Sequence, residues 1–268
     1  MSAAPARPPA GAALGALLAP LVTLARRELQ TRYAGTRLGR IWALLQPLAT
    51  MAIYLTVFVL VMGGGRDTVD ARQYALFILA GLLPFQALAD GLQRACGSLR
   101  QDKPLLEAAT FPAEAIPLAR VVGGALPELL GLLLLGLACA VWGPGLGVSV
   151  LALPLLWLGR VGLTAGLALW ISVIAIFITD TGEILGFALT ALLFLTPVFY
   201  GIDQVPAWLH PLLWINPLHH VVEAYRDVLL QGRWPWGHGG ALLLCVLLAV
   251  GSGRWAFGRC LDAVRDEL

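Results

Sequence analysis

Five arginines lie close together near the N-terminus, within a segment of helical period that runs directly into an apolar block. A guanidinium group stays charged at physiological pH and binds phosphate oxygens through two parallel hydrogen bonds. Such a cluster can attract phosphate groups at a membrane surface. Its members are Arg26, Arg27, Arg32, Arg37 and Arg40.

The element that positions these arginines is predicted to be an amphipathic helix over residues 17–41. Apolar residues recur at spacings of four, three and four from Leu18 to Leu29, and basic and polar residues fall on the opposite side. One apolar face and one basic face are typical of a helix that lies in the membrane interface. The alternative is a surface helix of a soluble domain, but the apolar block that follows leaves little soluble domain to cover.

Two charged residues fall deep inside apolar segments, where a charge is costly. Glu128 and Arg160 both lie near mid-depth of their segments if each residue advances a helix by about 1.5 Å. We predict that they approach one another or a shared wet cavity; the alternative is that Arg160 extends its head group towards the interface.

Asp90 and Arg94, four residues apart, are predicted to pair along one helix face in a structural role, with Arg120 nearby.

The sequence shows no motif that would carry out a reaction by itself. A GxxxxGK(S/T) phosphate loop, HExxH and GxSxG are all absent. His219 and His220 are adjacent, so their side chains would point about 100° apart on a helix, and no third ligand stands at helical spacing; we predict no metal site. The four cysteines lack metal-ligand spacing and are interpreted as packing residues.

The net charge of the chain is +2, and its basic residues are gathered at the ends of the apolar segments. This distribution argues against nucleic-acid binding.

The composition indicates an all-α integral membrane protein. Of 268 residues, 59% are hydrophobic and 13% are charged, with a mean hydropathy of +0.80, whereas soluble domains carry about 25% charged residues. A membrane-spanning helix needs about 20 mostly apolar residues, and six blocks qualify. They are residues 42–62, 74–95, 116–141, 150–178, 184–200 and 238–257.

The distribution of positive charge predicts the orientation. With the N-terminus in the cytoplasm, the inner segments carry 13 basic residues and the outer segments carry 4. Because cytoplasmic segments of membrane proteins carry an excess of Lys and Arg, we predict that both termini are cytoplasmic.

Two connections are long enough to have roles of their own. The inner connection 96–115 contains a helix-capable piece, Pro104 to Thr110, which is either an exposed docking element for a soluble partner or a plain connector. The outer region 197–237 is rich in Trp, Tyr, Pro and His, and its pieces 206–215 and 217–230 have helical period but are too short or too polar to span. Re-entrant helices of this kind survive only if protein covers them or if they line a polar path, which favours a transport conduit or gate.

Taken in order, the segments resemble a known family, the membrane subunit of ABC-2 type exporters for polysaccharides and polyol phosphates, including O-antigen, capsule and teichoic-acid permeases. The resemblance covers nearly the whole chain. Its motifs are LARRELQTRYAGTRLGRIWALLQPL at 24–48, LFILAGLLPFQAL at 76–88, FPAEAIPLARV at 111–121, FLTPVFYGIDQVPAWLHPLLWINPLHHVVEAYRDVLLQG at 194–232 and a basic C-terminal tail.

The resemblance implies a single ABC-2 type transmembrane domain over residues 1–268 and a homodimer of six-span subunits in the bacterial inner membrane. It also implies two copies of a separate cytoplasmic ATPase that bind Mg-ATP, so no cofactor is expected on this chain. Residues 98–112 would form the coupling helix that docks into the ATPase, and residues 201–232 the outer gate helices. The candidate coupling residues are Arg100, Asp102, Lys103, Leu105, Leu106 and Glu107.

Two positions depart from the family pattern. Basic residues often precede the Phe-Pro of the coupling segment, and here Glu107 stands in that stretch, so the contact with the ATPase has a different charge pattern. The inner end of the fourth predicted span usually reads Arg-Asp and here reads Thr179-Asp180, which weakens any role for a basic residue there.

The substrate implied by the resemblance is a polysaccharide linked through pyrophosphate to a polyprenyl lipid and moved outwards from the cytoplasm. The five arginines would attract the pyrophosphate, and aromatic side chains would stack on sugar rings along the path. Each of these aromatics could equally face lipid. The candidates are Trp42, Tyr54, Phe58, Phe85, Phe194, Phe199 and Tyr200.

Two other functions compete with this interpretation. An ABC-2 permease for a drug or a different lipid would share the fold. A membrane-bound transferase of lipid-linked sugars could use Asp180, Glu183, Asp203 or His210, but it would need convergent carboxylates or a metal, and the acidic residues are scattered over both faces.

Overall fold

The computed structural model describes residues 10–32, 35, 37, 39–57, 71–107, 111–143 and 145–267. Every regular element among them is helical, as the apolar composition predicted. The α-helices are α1 (Ala10–Arg32), α2 (Trp42–Leu55), α3 (Ala71–Cys96), α4 (Ser98–Gln101), α5 (Lys103–Glu107), α6 (Ala115–Trp142), α7 (Leu153–Phe177), α8 (Thr181–Leu195), α9 (His210–Ile215), α10 (Pro217–Leu229) and α11 (Trp236–Glu267).

Four helical stretches of the described chain are long and apolar enough to cross a membrane. They are Arg72–Cys96, Ala115–Trp142, Val148–Phe177 and Trp236–Arg265, and they correspond to the predicted spans 74–95, 116–141, 150–178 and 238–257.

The other two predicted spans correspond to shorter helices. Span 184–200 is replaced by α8, whose 15 residues end at Leu195, because Pro197 follows closely and the residue before a proline avoids the helical region. Span 42–62 corresponds to α2, which has 14 residues, and its last five positions, 58–62, lie outside the described residues.

The predicted interfacial helix is longer at its start and shorter at its end than residues 17–41. Helix α1 begins at Ala10 and ends at Arg32. Beyond it, Gly35 and Gly39 have φ angles of 83° and 49°, a left-handed conformation that residues with a Cβ adopt rarely. The glycines therefore interrupt the helix that periodicity alone predicted to continue.

Helix α1 packs against α6 while part of its apolar side remains exposed. Leu18 and Val22 are about half exposed, but Ala25 is buried. A Cβ on Gly123 of α6 would stand 2.7 Å from Cγ of Glu28, so this glycine makes room for a buried glutamate of α1. The exposed apolar residues are consistent with a helix that also contacts lipid.

Glycine also allows close packing of α7 against α11. A Cβ at Gly162 would lie 2.9 Å from Val246, and one at Gly166 would overlap the backbone of Ala249 and Val250. Gly162 and Gly166 form a GxxxG pair, as do Gly182 and Gly186 of α8; for the pair in α8, no atom of another described element lies within 4 Å of the ideal Cβ positions.

The two helical pieces predicted in the outer region are both present as α9 and α10. Asn216 begins α10, where its side-chain oxygen accepts a hydrogen bond of 3.0 Å from the backbone N–H of Leu218 and Pro217 occupies the first turn. Both features are favourable at a helix N-terminus. The Asn216 amide also donates to Thr196 Oγ1 at 2.9 Å, which ties α10 to the end of α8.

Candidate functional site

Several helices meet in a network of ion pairs at the ends that the charge distribution predicts to be cytoplasmic, and we call this network the inner charge network. Glu28 of α1 is buried and accepts hydrogen bonds from Arg94 of α3, at 3.1 Å, and from Arg120 of α6. Arg94 also donates from Nε to both oxygens of Asp90 at 3.0 Å. Arg120 reaches Asp102 at 2.7 Å. The predicted pairing of Asp90 with Arg94 is therefore present, while Arg120 pairs with Glu28 and Asp102.

This network connects the coupling segment with α1. Asp102 stands between α4 and α5, so the bridge through Arg120 runs from that segment to Glu28. Arg27 of α1 lies 4.0 Å from the same Asp102 carboxylate. These ion pairs link the predicted coupling segment to α1.

The candidate coupling residues do not form one exposed surface. Arg100 is exposed and donates a hydrogen bond of 2.7 Å to the carbonyl of Ile176 in α7. Lys103 and Leu105 are half-buried, whereas Leu106 is only 1% exposed. Leu106 packs into an apolar cluster with Leu99, Ile116 and Phe257, so its side chain is not on the surface of the chain. Glu107 ends α5, and its side chain lies outside the described part of the chain.

The five arginines occupy different environments. Arg26 and Arg37 are exposed, and the side chain of Arg27 is 65% exposed. Arg32 instead has a side chain only 6% exposed and forms an ion pair of 3.1 Å with Asp90 of α3. Arg40 lies in a short 3-10 helix, Gly39–Ile41, and its side chain is not among the described ones. The structure therefore separates outward-facing arginines from one that joins the inner charge network.

A cavity of about 90 Å³ extends between α1, α2, α3 and α6. Arg32 and Asp90 line it together with Glu128, so it joins the inner charge network to a buried charge in α6. Sequence reasoning missed the uncharged polar residues that line this cavity. An amide or hydroxyl side chain inside an otherwise apolar block could have indicated them. They are Gln46, Thr50 and Gln86.

Glu128 and Arg160 come together, as the sequence analysis expected. Both side chains are 1% exposed, and Arg160 Nη2 donates to Glu128 Oε2. Arg160 Nη1 lies 3.4 Å from Thr164 Oγ1, one turn further along α7. Tyr225 of α10 also faces this pair. A buried charge is stable in a low-dielectric environment only when it is paired. The ion pair therefore links α6 to α7 next to α10.

The candidate aromatics divide into three groups. Tyr54, Phe194 and Phe199 form a cluster, with ring centroids 6.5 Å apart for Tyr54 and Phe199 and 6.2 Å apart for Phe194 and Phe199. The Tyr200 hydroxyl donates to the Phe194 carbonyl at 2.6 Å. Phe85 is buried in the main apolar core, so this residue is not available to a path surface in the chain as folded.

Trp42 stands apart from that cluster. Trp42, at the start of α2, is 37% exposed. Phe58 lies outside the described residues.

Arg226 is a buried residue that sequence reasoning missed. It is 1% exposed and donates to the carbonyls of Pro197 at 2.6 Å and Val198 at 2.8 Å. Its guanidinium carbon stands 3.4 Å from the centroid of the Phe77 ring, and Glu223 accepts a further bond at 2.8 Å. Burial lowers the pKa of Arg226 to about 10. The sequence could have indicated Arg226, because it is a single arginine on the apolar side of the predicted helical piece 217–230.

The outer helices also bring histidines together. His219 and His220 of α10 are buried and face His238 in the first turns of α11. Burial lowers the pKa of His219 to about 4, and burial also lowers the pKa of His220. Both shifts favour the neutral form of the imidazole.

These features define a multi-pass helical membrane protein that has ion pairs at one end, a polar cavity and a buried charge pair between its apolar helices. The sequence matches the family described as ABC-2 type transporter over residues 20–230, which is most of the chain. The chain belongs to the ABC-2 type transporter family, a transport component rather than an enzyme.

Three similar proteins are permeases or transport proteins. The O-antigen export system permease protein RfbA of Klebsiella pneumoniae is 27% identical over 220 residues, which cover 82% of this chain and 83% of that protein. The protein of the same name from Myxococcus xanthus is 26% identical, with 92% and 93% covered. The polysialic acid transport protein KpsM of Escherichia coli is 29% identical, with 77% and 79% covered.

Proposed function

We propose that this chain is the channel-forming subunit of an ATP-driven exporter that moves a polysaccharide from the cytoplasm across the bacterial inner membrane. The observation that carries the proposal is the match to the ABC-2 family over residues 20–230, combined with relatives named for O-antigen and polysialic acid transport that align over more than three quarters of both chains. Family membership implies a separate ATPase subunit, in agreement with the missing phosphate loop.

The assembly proposed is a homodimer of six-span subunits with two copies of the ATPase and with both termini in the cytoplasm. The predicted cytoplasmic segments carry 13 basic residues and the predicted outer segments carry 4, which supports this orientation. In a six-span subunit, α2 and α8 would complete the membrane crossing together with the four longer stretches. Side chains that line the cavity and are exposed in the single chain, such as Gln46 and Gln86, would then face a pathway at the dimer interface.

The coupling segment is proposed to act through the inner charge network. ATP-driven closure of the ATPase would push residues 98–112, and Asp102 would transmit the displacement through Arg120 to Glu28 of α1. Because Leu106 is anchored in an apolar cluster, the segment moves with the helices that it packs against. The ATPase contact is assigned to two basic side chains, the exposed Arg100 and the half-buried Lys103.

The substrate is proposed to be linked to a polyprenyl lipid through pyrophosphate. Arg26 and Arg27 are exposed on α1, next to apolar residues that suit a lipid tail, and their guanidinium groups can each form two hydrogen bonds with a phosphate. Arg32 lies further in, on the cavity that reaches Glu128. The aromatic cluster of Tyr54, Phe194 and Phe199 offers ring faces to sugars without requiring a fixed register.

The test is a deletion of the gene followed by complementation. Loss of this chain should remove the polysaccharide from the cell surface and leave lipid-linked polymer inside the cell, and the wild-type gene should restore export. An unchanged surface polysaccharide, combined with loss of resistance to a small drug, would support a drug permease and contradict the proposal.

A double variant, Arg26→Gln and Arg27→Gln, tests the phosphate-binding role. It should reduce export of the lipid-linked polymer while leaving copurification of the ATPase intact. Arg265→Gln, an exposed arginine near the C-terminus, is the matched control and should export normally. Wild-type export by the double variant would remove the phosphate-binding role but leave the transport function standing.

A further inference from the structure

Three of the four histidines in the chain meet where α10 packs against the start of α11. His219, His220 and His238 each place one ring nitrogen so that the three atoms all lie within 4.8 Å of one another. Their ring centroids are 5.4 to 5.6 Å apart. The sequence analysis looked for a third ligand at helical spacing, whereas the third imidazole belongs to a different helix.

The hydrogen bonds of His220 determine which of its nitrogens carries the proton. Nε2 lies 2.9 Å from the carbonyl oxygen of Trp214, and a carbonyl can only accept, so Nε2 carries the hydrogen. In the neutral ring Nδ1 then holds a lone pair. This lone pair faces His238, whose Nδ1 is 3.3 Å away. A backbone carbonyl that orients a histidine through its other nitrogen is a typical outer contact of a metal ligand.

His219 provides an independent reason to expect a ligand. Its side chain is fully buried, and neither ring nitrogen has a hydrogen-bond partner among the described residues. Leaving a buried polar group unpaired costs about 1–3 kcal/mol, and most buried polar side chains in proteins are satisfied. An ion bound by the three imidazoles would satisfy one nitrogen of His219.

We propose that His219, His220 and His238 bind a divalent transition-metal ion, and that the ion is Zn²⁺. Neutral imidazole suits zinc, and tetrahedral Zn–N bonds of about 2.0–2.1 Å place two ligand nitrogens roughly 3.3 Å apart. The separation of Nδ1 in His220 and Nδ1 in His238 is 3.3 Å. One nitrogen of His219 lies within 4.8 Å of the other two ligand atoms and would have to move closer to bind the same ion, and three ligands leave a fourth position open to water.

The ion would cross-link the outer helix α10 to α11, the last apolar helix. His219 and His220 belong to α10, which the transport proposal assigns to the outer gate, and His238 belongs to α11. Trp214 of α9 lies beside all three imidazoles, with ring centroids 5.4 to 6.1 Å away. Zinc would hold α9, α10 and α11 in one arrangement. The metal site itself does not depend on what the protein transports.

The test measures zinc in the full chain, purified with its ATPase through a tag that contains no histidine. After removal of metal by a chelator, the protein is dialysed against Zn²⁺, and bound zinc is determined by mass spectrometry. We expect one zinc per chain, with at least a tenfold weaker affinity in His238→Ala. His210→Ala is the control, because His210 lies outside the cluster and its Nε2 contacts the Val205 carbonyl at 3.1 Å; it should bind zinc as the wild type does.

Cobalt binding keeps the proposal testable even if His238→Ala does not fold. Co²⁺ bound by three imidazoles in the wild-type chain should show the intense visible bands of a tetrahedral ion without a thiolate charge-transfer band. Less than one fifth of an equivalent of zinc in the wild type, equal zinc in His238→Ala and wild type, or a thiolate band from the cysteines would each overturn the proposal.

Discussion

At the scale of single residues, the defining feature is that charges inside the apolar helices are paired. Glu128 and Arg160 are almost fully buried and bond to each other. Arg226 is buried as deeply but is satisfied mainly by backbone carbonyls and one glutamate. The first arrangement joins two apolar helices, and the second joins the outer helix α10 to the end of α8.

Glu128→Gln should destabilise the protein strongly. It would leave Arg160 as a buried charge without a counter-ion, and breaking such a pair costs about 3–5 kcal/mol. Thermal unfolding in detergent should show a lower midpoint. The double variant Glu128→Leu with Arg160→Met removes both charges and should recover most of the loss. An unchanged midpoint in Glu128→Gln would mean that the pair contributes little.

Arg226→Met should loosen the outer region. The carbonyls of Pro197 and Val198 would lose their donor, and each unsatisfied buried group costs about 1–3 kcal/mol. Limited proteolysis of purified protein should then cut within residues 197–216 faster than in the wild type. Arg233→Met alters an exposed arginine and should leave the cleavage rate unchanged; equal cleavage in both variants would contradict the anchoring role.

At the scale of elements, close helix contacts depend on particular glycines and not on the GxxxG pattern as such. Gly162 and Gly166 lie against α11, whereas Gly182 and Gly186 face no neighbour in the part of the chain that the structure describes. The two pairs are equivalent in the sequence. Only the packing of α7 against α11 distinguishes them.

Gly166→Ala should therefore be destabilising. The added methyl group would overlap the backbone of α11, which cannot rotate away, and overpacking costs about 1–3 kcal/mol. Urea or thermal unfolding would report the loss. Gly186→Ala adds the same methyl group where no atom of the described residues stands within 4 Å of the new Cβ, and it should be at least as stable as the wild type because Ala is favoured over Gly inside a helix. A loss of equal size in both variants would mean that a contact outside this chain, such as a partner copy, determines the effect.

The inner charge network predicts a separation of ATP hydrolysis from transport. Arg120→Gln would break the links of Arg120 to Glu28 and Asp102, so export should fall while the ATPase still binds and hydrolyses ATP. Arg254→Gln breaks an exposed pair with Glu114, and exposed pairs contribute about 0–1 kcal/mol, so its export should be normal. Parallel loss of export and of ATPase binding in Arg120→Gln would show that the network only maintains the fold.

At the scale of the whole molecule, the charge distribution predicts the orientation in the membrane. A green fluorescent protein fused after residue 268 should fluoresce, because the C-terminus is expected in the cytoplasm, and alkaline phosphatase at that point should be inactive. Phosphatase inserted in the turn 143–149, predicted to lie outside, should be active. The opposite pattern would reverse the topology and remove the basis for placing the arginines of α1 at the inner face.

The sequence by itself determined the class of protein and most of its elements. Composition and apolar length predicted an all-helical membrane protein, and four of the six blocks are helices of spanning length. The family resemblance agrees with the ABC-2 match over residues 20–230. These features are readable because hydropathy, proline position and charge act locally along the chain.

The tertiary structure alone decided which distant residues meet. Periodicity placed Glu28 on α1 but could not pair it with Arg120, which lies 92 residues away. It could not bring His238 to His220, bury Leu106, or distinguish Gly166 from Gly186. Such contacts depend on how helices pack against one another, and helix packing follows from side-chain shapes on several elements at once.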